Sequence, residues 1–255
     1  MKWINLIILV SLLSLFVFSS CSKMGGIEGN NNLSSETRRQ VSFNEVVNED
    51  IFYVTIVPDT IYEVVIDAES NLIPYIRTIV NGNSLVIDTR ENLDPNHTIY
   101  ITVKTPTLKG AYLSGSGNVS VEDFNSNQLN VILSGSGTMN GYGLAGYFKA
   151  VLSGSGSIDF LVDAERVETT LSGSGNIRLD GETVYTNHLV SGSGNVDAYG
   201  LGSVESEAKI SGSGNMYLAV SDVLNATISG SGSIFYRGTP VVNANITGSG
   251  AVIGN

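Results

Sequence analysis

The sequence has little of the chemistry that enzymes and metal proteins usually display. Its only cysteine is Cys21, which excludes a disulfide within the chain, and two histidines with one cysteine are too few for a zinc site. Basic residues are scarce too: 13 Lys and Arg stand against 24 Asp and Glu, for a formal net charge of −11. An acidic chain repels phosphate backbones, so we expect no nucleic acid partner. No cofactor is expected either, since the Gly-rich motifs lack the Lys of a phosphate-binding loop.

A helical period is also absent over any useful length, except for a turn around residues 72–76. Residues 37–110 instead alternate β-branched and aromatic side chains with polar ones, between turn residues. Strands are predicted around residues 52–56, 62–66, 84–88 and 99–103. Four of the five prolines fall in this region, at strand ends or loops. These patterns predict an N-terminal β region.

The first residues have the anatomy of a secretory signal. Lys2 gives a positive start, residues 4–18 form an apolar run, and Ser19, Ser20 and Cys21 close it with small residues. The run is short for a membrane-spanning helix. FSSC resembles the lipobox of bacterial lipoproteins, which implies that residues 1–20 are removed and that Cys21 is acylated. Residues 21–36, rich in Gly, Asn and Ser, are interpreted as a flexible tether.

What the sequence has in abundance is one repeated motif. Ser-Gly-Ser-Gly recurs in residues 111–255, followed by a last copy, Thr-Gly-Ser-Gly. The copies begin at Ser114, Ser134, Ser153, Ser172, Ser191, Ser211, Ser229 and Thr247. Successive gaps are 20, 19, 19, 19, 20, 18 and 18 residues. A flexible linker has no reason to keep such a period, so the motif belongs to a structural repeat.

The residues around the motif fall into fixed columns. Large apolar residues precede it immediately, small residues stand three positions before it, and apolar residues stand five positions after its first residue. In that order the columns begin with Leu113, Leu133 and Leu152; with Ala111, Val131 and Ala150; and with Val119, Met139 and Ile158. A spacing of two within each repeat is the alternation of a strand with one buried face.

A repeat of about 19 residues that contains strands and no helix predicts an all-β fold, a right-handed parallel β-solenoid. Each repeat is one coil, and the N-terminal strands continue or cap the stack. Eight coils about 4.8 Å apart would make a rod of roughly 40 Å. The motif would form a corner, where glycine reaches positive-φ and crowded conformations. The Asn, Ser or Thr that follows the motif would adopt the left-handed backbone conformation of the turn or hydrogen-bond to its backbone.

The chain also resembles a known family over roughly residues 40–255. RRQVSFNEV, FYVTIV and ITVKTPTLKGAYLSGSGNV, followed by the tandem LSGSGN motifs and preceded by a lipoprotein signal, are similar to the family described as putative auto-transporter adhesin, head GIN domain. The resemblance implies a right-handed β-solenoid and an exported protein. It carries over no catalytic or binding residue.

One outward column is the candidate site. Asp159, Arg178 and Asp197 occupy equivalent positions in three successive coils, so their side chains should form a ladder. The ladder is either a surface ion cluster or part of a carbohydrate-active site, since carboxylates two coils apart would lie roughly 9.6 Å from each other. The repeats lack the regular carboxylate of a calcium-binding ladder.

Other residues suggest further hypotheses. His188 replaces Ala, Val or Thr in a small inward column and is interpreted as a hydrogen-bonded or displaced histidine rather than a site, and His97 as a loop residue. Five tyrosines are expected to line a face suited to glycan or protein contact: Tyr142, Tyr147, Tyr185, Tyr199 and Tyr217. An open solenoid end would favour an end-on homodimer.

Together these features predict a non-catalytic lipoprotein of the cell envelope. Bacterial lipoproteins kept at the inner membrane often carry Asp after the cysteine, and by that resemblance Ser22 favours the outer membrane, with surface exposure left open. We expect an adhesin or recognition module that binds glycan or protein through its repeated face. The alternatives are a carbohydrate-active β-helix enzyme and a structural scaffold lipoprotein that faces the periplasm.

Overall fold

A computed structural model of the protein describes residues 25–255, so the predicted signal peptide and Cys21 lie outside the described residues. Within this range nearly every regular element is a strand, and one short 3-10 turn, Ile73–Tyr75, lies where the sequence predicts a turn. Across residues 25–255, the structure contains no helix with the length and apolar character to span a bilayer.

Residues 25–109 contain nine strands. They are β1 (Ile27–Glu28), β2 (Leu33–Arg39), β3 (Glu45–Asn48), β4 (Tyr53–Pro58), β5 (Glu63–Glu69), β6 (Ile76–Asn81), β7 (Ser84–Thr89), β8 (Leu93–Asp94) and β9 (Tyr100–Thr105). The four strands predicted from sequence correspond to β4, β5, β7 and β9. The sequence analysis missed the other five, which are β1, β2, β3, β6 and β8.

The repeat region contains ten strands, and most coils are one long strand between two motifs. They are β10 (Gly110–Leu113), β11 (Asn118–Leu133), β12 (Thr138–Leu152), β13 (Ser157–Leu171), β14 (Asn176–Val190), β15 (Asn195–Ile210), β16 (Met216–Ile228), β17 (Ile234–Arg237), β18 (Val241–Ile246) and β19 (Val252–Gly254). Each pairs in parallel with the equivalent strand of a neighbouring coil. The predicted β-solenoid is therefore confirmed.

The register of the coils confirms the inward columns read from the sequence. Leu133 pairs with Leu152, and Leu152 with Leu171, so identical side chains stack along the interior. All three are fully buried, as are almost all members of the three columns. The exceptions lie in the last coil, where Ala244 and Ile246 are exposed and Val252 is half-buried. The apolar core is one continuous stack through the N-terminal strands and the coils.

The motif forms the predicted corner, but the role predicted for positive φ at its glycines is wrong. None of the motif glycines has a positive φ. The requirement is close backbone stacking: a Cβ on Gly154 would lie 1.8 Å from the carbonyl oxygen of Gly135 in the preceding coil. Ser174 in the next coil donates its backbone N–H to the carbonyl oxygen of Gly154 at 3.2 Å. Glycine is needed because the corners of successive coils lie in direct backbone contact.

The residue after the motif joins one coil to the next. The backbone N–H of Asn215 donates to Oδ1 of Asn195 at 2.9 Å, and that of Ser233 donates to Oδ1 of Asn215 at 2.9 Å. Ala251 donates in the same way to Oγ of Ser233 at 3.2 Å. These side chains bond the following coil rather than their own turn, so they continue the hydrogen-bond ladder through the corner.

Two strand ladders extend from β11 to the N-terminal end of the rod. One runs through β4, β9, β5 and β2, and the other through β10, β3, β7 and β6. Their outermost pairs are antiparallel, unlike the coils. The N-terminal strands therefore both continue the stack and cap it, and β2 and β6 are its terminal strands.

The prediction of a flexible tether over residues 21–36 is wrong from residue 27 onward. Strand β1 pairs with β8, and β2 pairs with β5 along its whole length. The buried carboxylate of Glu69 fixes the loop between β1 and β2 by accepting the backbone N–H of Asn31 at 2.6 Å. The same carboxylate accepts the backbone N–H of Asn96, in the loop between β8 and β9, at 2.9 Å. Burial by itself would raise the pKa of Glu69, but these backbone donors outweigh it and lower that pKa.

At the other end, the last strands pair on one side only among the described residues. Strand β18 pairs with β16, and β19 pairs with β17. Val241 on β18 is exposed, as is Ile253 on β19. The end-on homodimer stays a prediction, and a strictly monomeric mass at high concentration would count against it.

Candidate functional site

The predicted ladder lies on what we call the first outer face, the outward side chains of the strand segment that follows each motif. The register pairs Asp159 with Arg178 and Arg178 with Asp197. The three residues therefore occupy one column on three successive coils, about 4.8 Å apart. Both aspartates are exposed.

Arg178 makes its close contact within its own strand rather than along the column. Its Nε donates to Oδ2 of Asp180 at 3.1 Å. That hydrogen bond raises the pKa of Arg178, and the charges of Asp159 and Asp197 contribute further. Three carboxylates thus surround one guanidinium, and the cluster stays accessible to solvent.

A shallow groove of about 700 Å³ runs over this part of the first outer face. It crosses four coils, from β11 to β14, and includes Asn140, Asp159, Arg178 and Asp180. Tyr142 and Leu161 also line it, with 46% and 56% of their surfaces exposed. They pair with each other across neighbouring coils and form an apolar patch beside the polar groups. The groove combines apolar surface with amide, carboxylate and guanidinium groups.

The groove carries groups that can bind a polar ligand. Carboxylates and amides accept or donate several hydrogen bonds, and Arg178 presents a planar fork of donors. A parallel strand ladder holds these groups at fixed spacing, which preorganises them for a ligand that spans several coils. The groove is open, and the aspartates of the ladder face water rather than an enclosed pocket.

The ladder column continues into an aromatic cluster near the C-terminal end. Asp197 pairs with Tyr217, and Tyr217 pairs with Phe235. The rings of Tyr217 and Phe235 stack with centroids 5.2 Å apart, and Tyr199 packs edge-on against Tyr217. Arg237 lies over the ring of Tyr199 at 4.0 Å. These ring faces are largely engaged with one another.

The five tyrosines do not share one face, contrary to the sequence expectation. Tyr142, Tyr199 and Tyr217 lie on the first outer face. Tyr147 and Tyr185 lie on the second outer face, which we define as the outward side chains of the segment that precedes each motif.

Tyr147 and Tyr185 belong to a polar network that the sequence analysis missed. Tyr147 donates its hydroxyl to Glu168 at 2.6 Å, and Tyr185 donates to Glu207 at 3.0 Å. Arg166 lies over the ring of Tyr185 at 4.4 Å and bonds to Glu168. Burial and the hydrogen bond to Glu168 raise the pKa of Tyr147 to about 12. The recurrence of Tyr and Glu at matching positions two coils apart was the available signal.

The histidines behave differently from one another. His188 keeps its place in the inward column, between Thr169 and Ala208, and is 1% exposed. Its Nδ1 lies 2.8 Å from the hydroxyl of Thr169, which confirms the hydrogen-bonded interpretation. His97 lies in a loop. Among residues 25–255 no three His, Cys, Asp or Glu residues are grouped as a metal site.

Comparisons with known proteins agree with this architecture. The family model described as "Putative auto-transporter adhesin, head GIN domain" matches residues 42–240. The search of curated proteins gave no match.

Solved structures with the same fold come from Parabacteroides and Bacteroides species. A putative adhesin from Parabacteroides merdae has a TM-score of 0.85 and 21% identity, covering 90% of this chain and 98% of its own. A putative lipid binding protein from Parabacteroides distasonis has a TM-score of 0.81 and 24% identity, covering 90% and 99%. A putative adhesin from Bacteroides fragilis has a TM-score of 0.67 and 20% identity, covering 90% and 100%. At these identities the similarity concerns the fold.

Proposed function

The chain belongs to the family described as putative auto-transporter adhesin, head GIN domain, and from that premise we propose that it is a non-catalytic recognition lipoprotein of the cell envelope that binds glycan. In this proposal Cys21 carries the lipid anchor in the outer membrane, and the ligand binds along the first outer face. The binding residues are Tyr142, Asp159, Arg178 and Asp180.

The composition of the groove is the observation that supports glycan as the ligand. A sugar ring offers an apolar face of C–H groups and a rim of hydroxyls. Tyr142 and Leu161 offer exposed apolar surface, and the neighbouring carboxylates and guanidinium offer donors and acceptors. Rigid placement on stacked strands reduces the entropy that binding must overcome. A chain of sugars could contact several coils at once and add their affinities.

Binding to a glycan array is the direct test. The unlipidated chain from residue 22 would be compared with the double variant Tyr142→Ala, Arg178→Gln. We expect the double variant to lose binding by about tenfold or more, as for an aromatic and arginine anchor pair. The matched control is Tyr185→Ala, Arg166→Gln on the second outer face, which should keep wild-type affinity. Equal loss in both variants would contradict the assignment, and a failure to bind any glycan would contradict the ligand class.

The two alternatives have their own signatures. A carbohydrate-active enzyme would cleave the bound oligosaccharide into shorter products, and the substitution Asp159→Asn would stop this cleavage. A scaffold facing the periplasm would be labelled by antibody only in permeabilised cells. Signal on intact cells would support the adhesin role.

A further inference from the structure

The N-terminal end of the rod concentrates arginine in a chain that is poor in basic residues. Arg38 and Arg39 lie on the terminal strand β2, Arg77 lies on the terminal strand β6, and Arg90 follows β7. Together they line one pocket of about 380 Å³. The four account for nearly a third of the 13 Lys and Arg residues. The cluster therefore occupies the last layer of the solenoid.

Two of these arginines hold the end of the rod together. Arg38 donates to the backbone carbonyl of Ile76 at 2.7 Å and bonds to Glu36, so it bridges β2 to β6. Arg77 forms a two-point ion pair with Asp88. Both guanidinium groups are thus fixed in place.

The other two arginines are available. Arg39 and Arg90 are exposed, and within residues 25–255 neither side chain makes a hydrogen bond or an ion pair. Beside them in the same pocket Ile79 is 52% exposed. Unpaired guanidinium groups next to exposed apolar surface suit an anionic interface that also accepts apolar contact.

The path of the chain brings this end close to the predicted anchor. Strand β1 begins at Ile27, so only residues 22–26 separate it from Cys21. Such a segment spans at most about 20 Å. If Cys21 carries lipid, as the proposed function holds, the N-terminal end must lie near the bilayer. The longer tether expected from sequence would have allowed any orientation.

We infer that the arginine cluster docks the N-terminal end of the rod onto an anionic phospholipid surface. Guanidinium groups bind phosphate oxygens in a planar, two-point geometry. The net negative charge of the chain does not prevent this, because charges more than about 10 Å from the membrane are screened at moderate salt. Docking by this end makes the coils project away from the bilayer.

Vesicle flotation tests the inference without the lipid anchor. The core residues lie between Phe43 and Ile234, so the unlipidated chain from residue 22 contains the whole folded unit. We expect it to float with vesicles that contain phosphatidylglycerol and not with vesicles of phosphatidylcholine alone. Removing both free charges, in Arg39→Gln, Arg90→Gln, should weaken binding about 30-fold, at about fivefold per arginine. The matched control Lys149→Gln, Lys209→Gln should float like the wild type.

Three outcomes would overturn the inference. The first is equal flotation with the two vesicle types, and the second is an equal loss of binding in the control variant. The third is release of the protein from the vesicles by inorganic phosphate at an ionic strength well below the one at which chloride releases it. The last would identify a site for free phosphate instead of a membrane surface. Glycan binding by the Arg39, Arg90 variant should be unchanged, so failure of this inference is distinguishable from failure of the proposed function.

Discussion

Replacing His188 by threonine should make the protein less sensitive to acid. The imidazole is fully buried in the core, with Thr169 above it and Ala208 below it in the column. Burial favours the neutral ring and lowers the pKa of His188 from 6.5 to about 4. Threonine fits a column that elsewhere holds Ala, Val and Thr, and it carries no titrating group.

The sign and size of the effect follow from linkage. Because the folded-state pKa is depressed, protons bind preferentially to the unfolded chain as the pH falls below 6.5. The stability due to neutral His188 is therefore nearly complete above pH 6.5, is lost progressively as the pH falls from 6.5 to 4, and changes little further below 4. The loss is about 2 kcal/mol between pH 7 and pH 5 and approaches about 3 kcal/mol near pH 4.

Chemical denaturation at a series of pH values measures this loss. His188→Thr will also lower stability at every pH, since it leaves a small cavity, so the slope between pH 7 and pH 5 carries the result. The control is Thr186→Ala, which removes a buried hydroxyl bonded to Ser206 at 2.8 Å and should keep the wild-type slope. Parallel curves for the wild type and His188→Thr would refute the reasoning, as would a ring pKa near 6.5 by NMR.

Three further predictions address the coil contacts. Gly156→Ala should destabilise the fold by about 3 kcal/mol or more in denaturation, because its Cβ would lie 2.1 Å from a carbonyl oxygen of the preceding coil; near-wild-type stability would contradict close stacking. Asn195→Ala should cost about 1 kcal/mol by loss of its bond to the next coil, whereas Asn118→Ala, which lacks such a bond among the described residues, should cost less than about 0.5 kcal/mol; equal costs would argue against the side-chain ladder. Glu168→Gln should lower the pKa of Tyr147 from about 12 toward 10 in a spectrophotometric titration, and an unchanged value would mean that burial alone sets it.

The solenoid was predictable because its determinants are local and repeated. Each coil repeats the same pattern of apolar and polar residues at a fixed spacing. The alternation within one repeat and the similarity of equivalent residues in different repeats therefore both indicate which side chains point inward. The register that pairs Asp159 with Arg178 follows from motif spacing alone. Even the polar exception, His188, kept its column.

The terminal strand β2 was not predictable for the opposite reason. Strand β2 has almost no buried side chain, so its sequence, LSSETRR, shows no apolar alternation. Its order comes from backbone pairing with β5 and from the carboxylate of Glu69, which lies far away in sequence. The hydrogen bond from Arg178 to Asp180 within one strand depends on the conformation of the Arg178 side chain, which the spacing of the motifs does not determine.

The direction of the hydrogen bonds between coils gives the rod a particular mechanical response. These bonds run along the long axis, so a pull on its two ends would load one layer at a time rather than all layers together. Each coil that peels away would release about 60 Å of chain, from 19 residues in extended form. A protein held between a membrane and a ligand would then lengthen in equal steps under load, and each step would absorb work before the grip on either end failed.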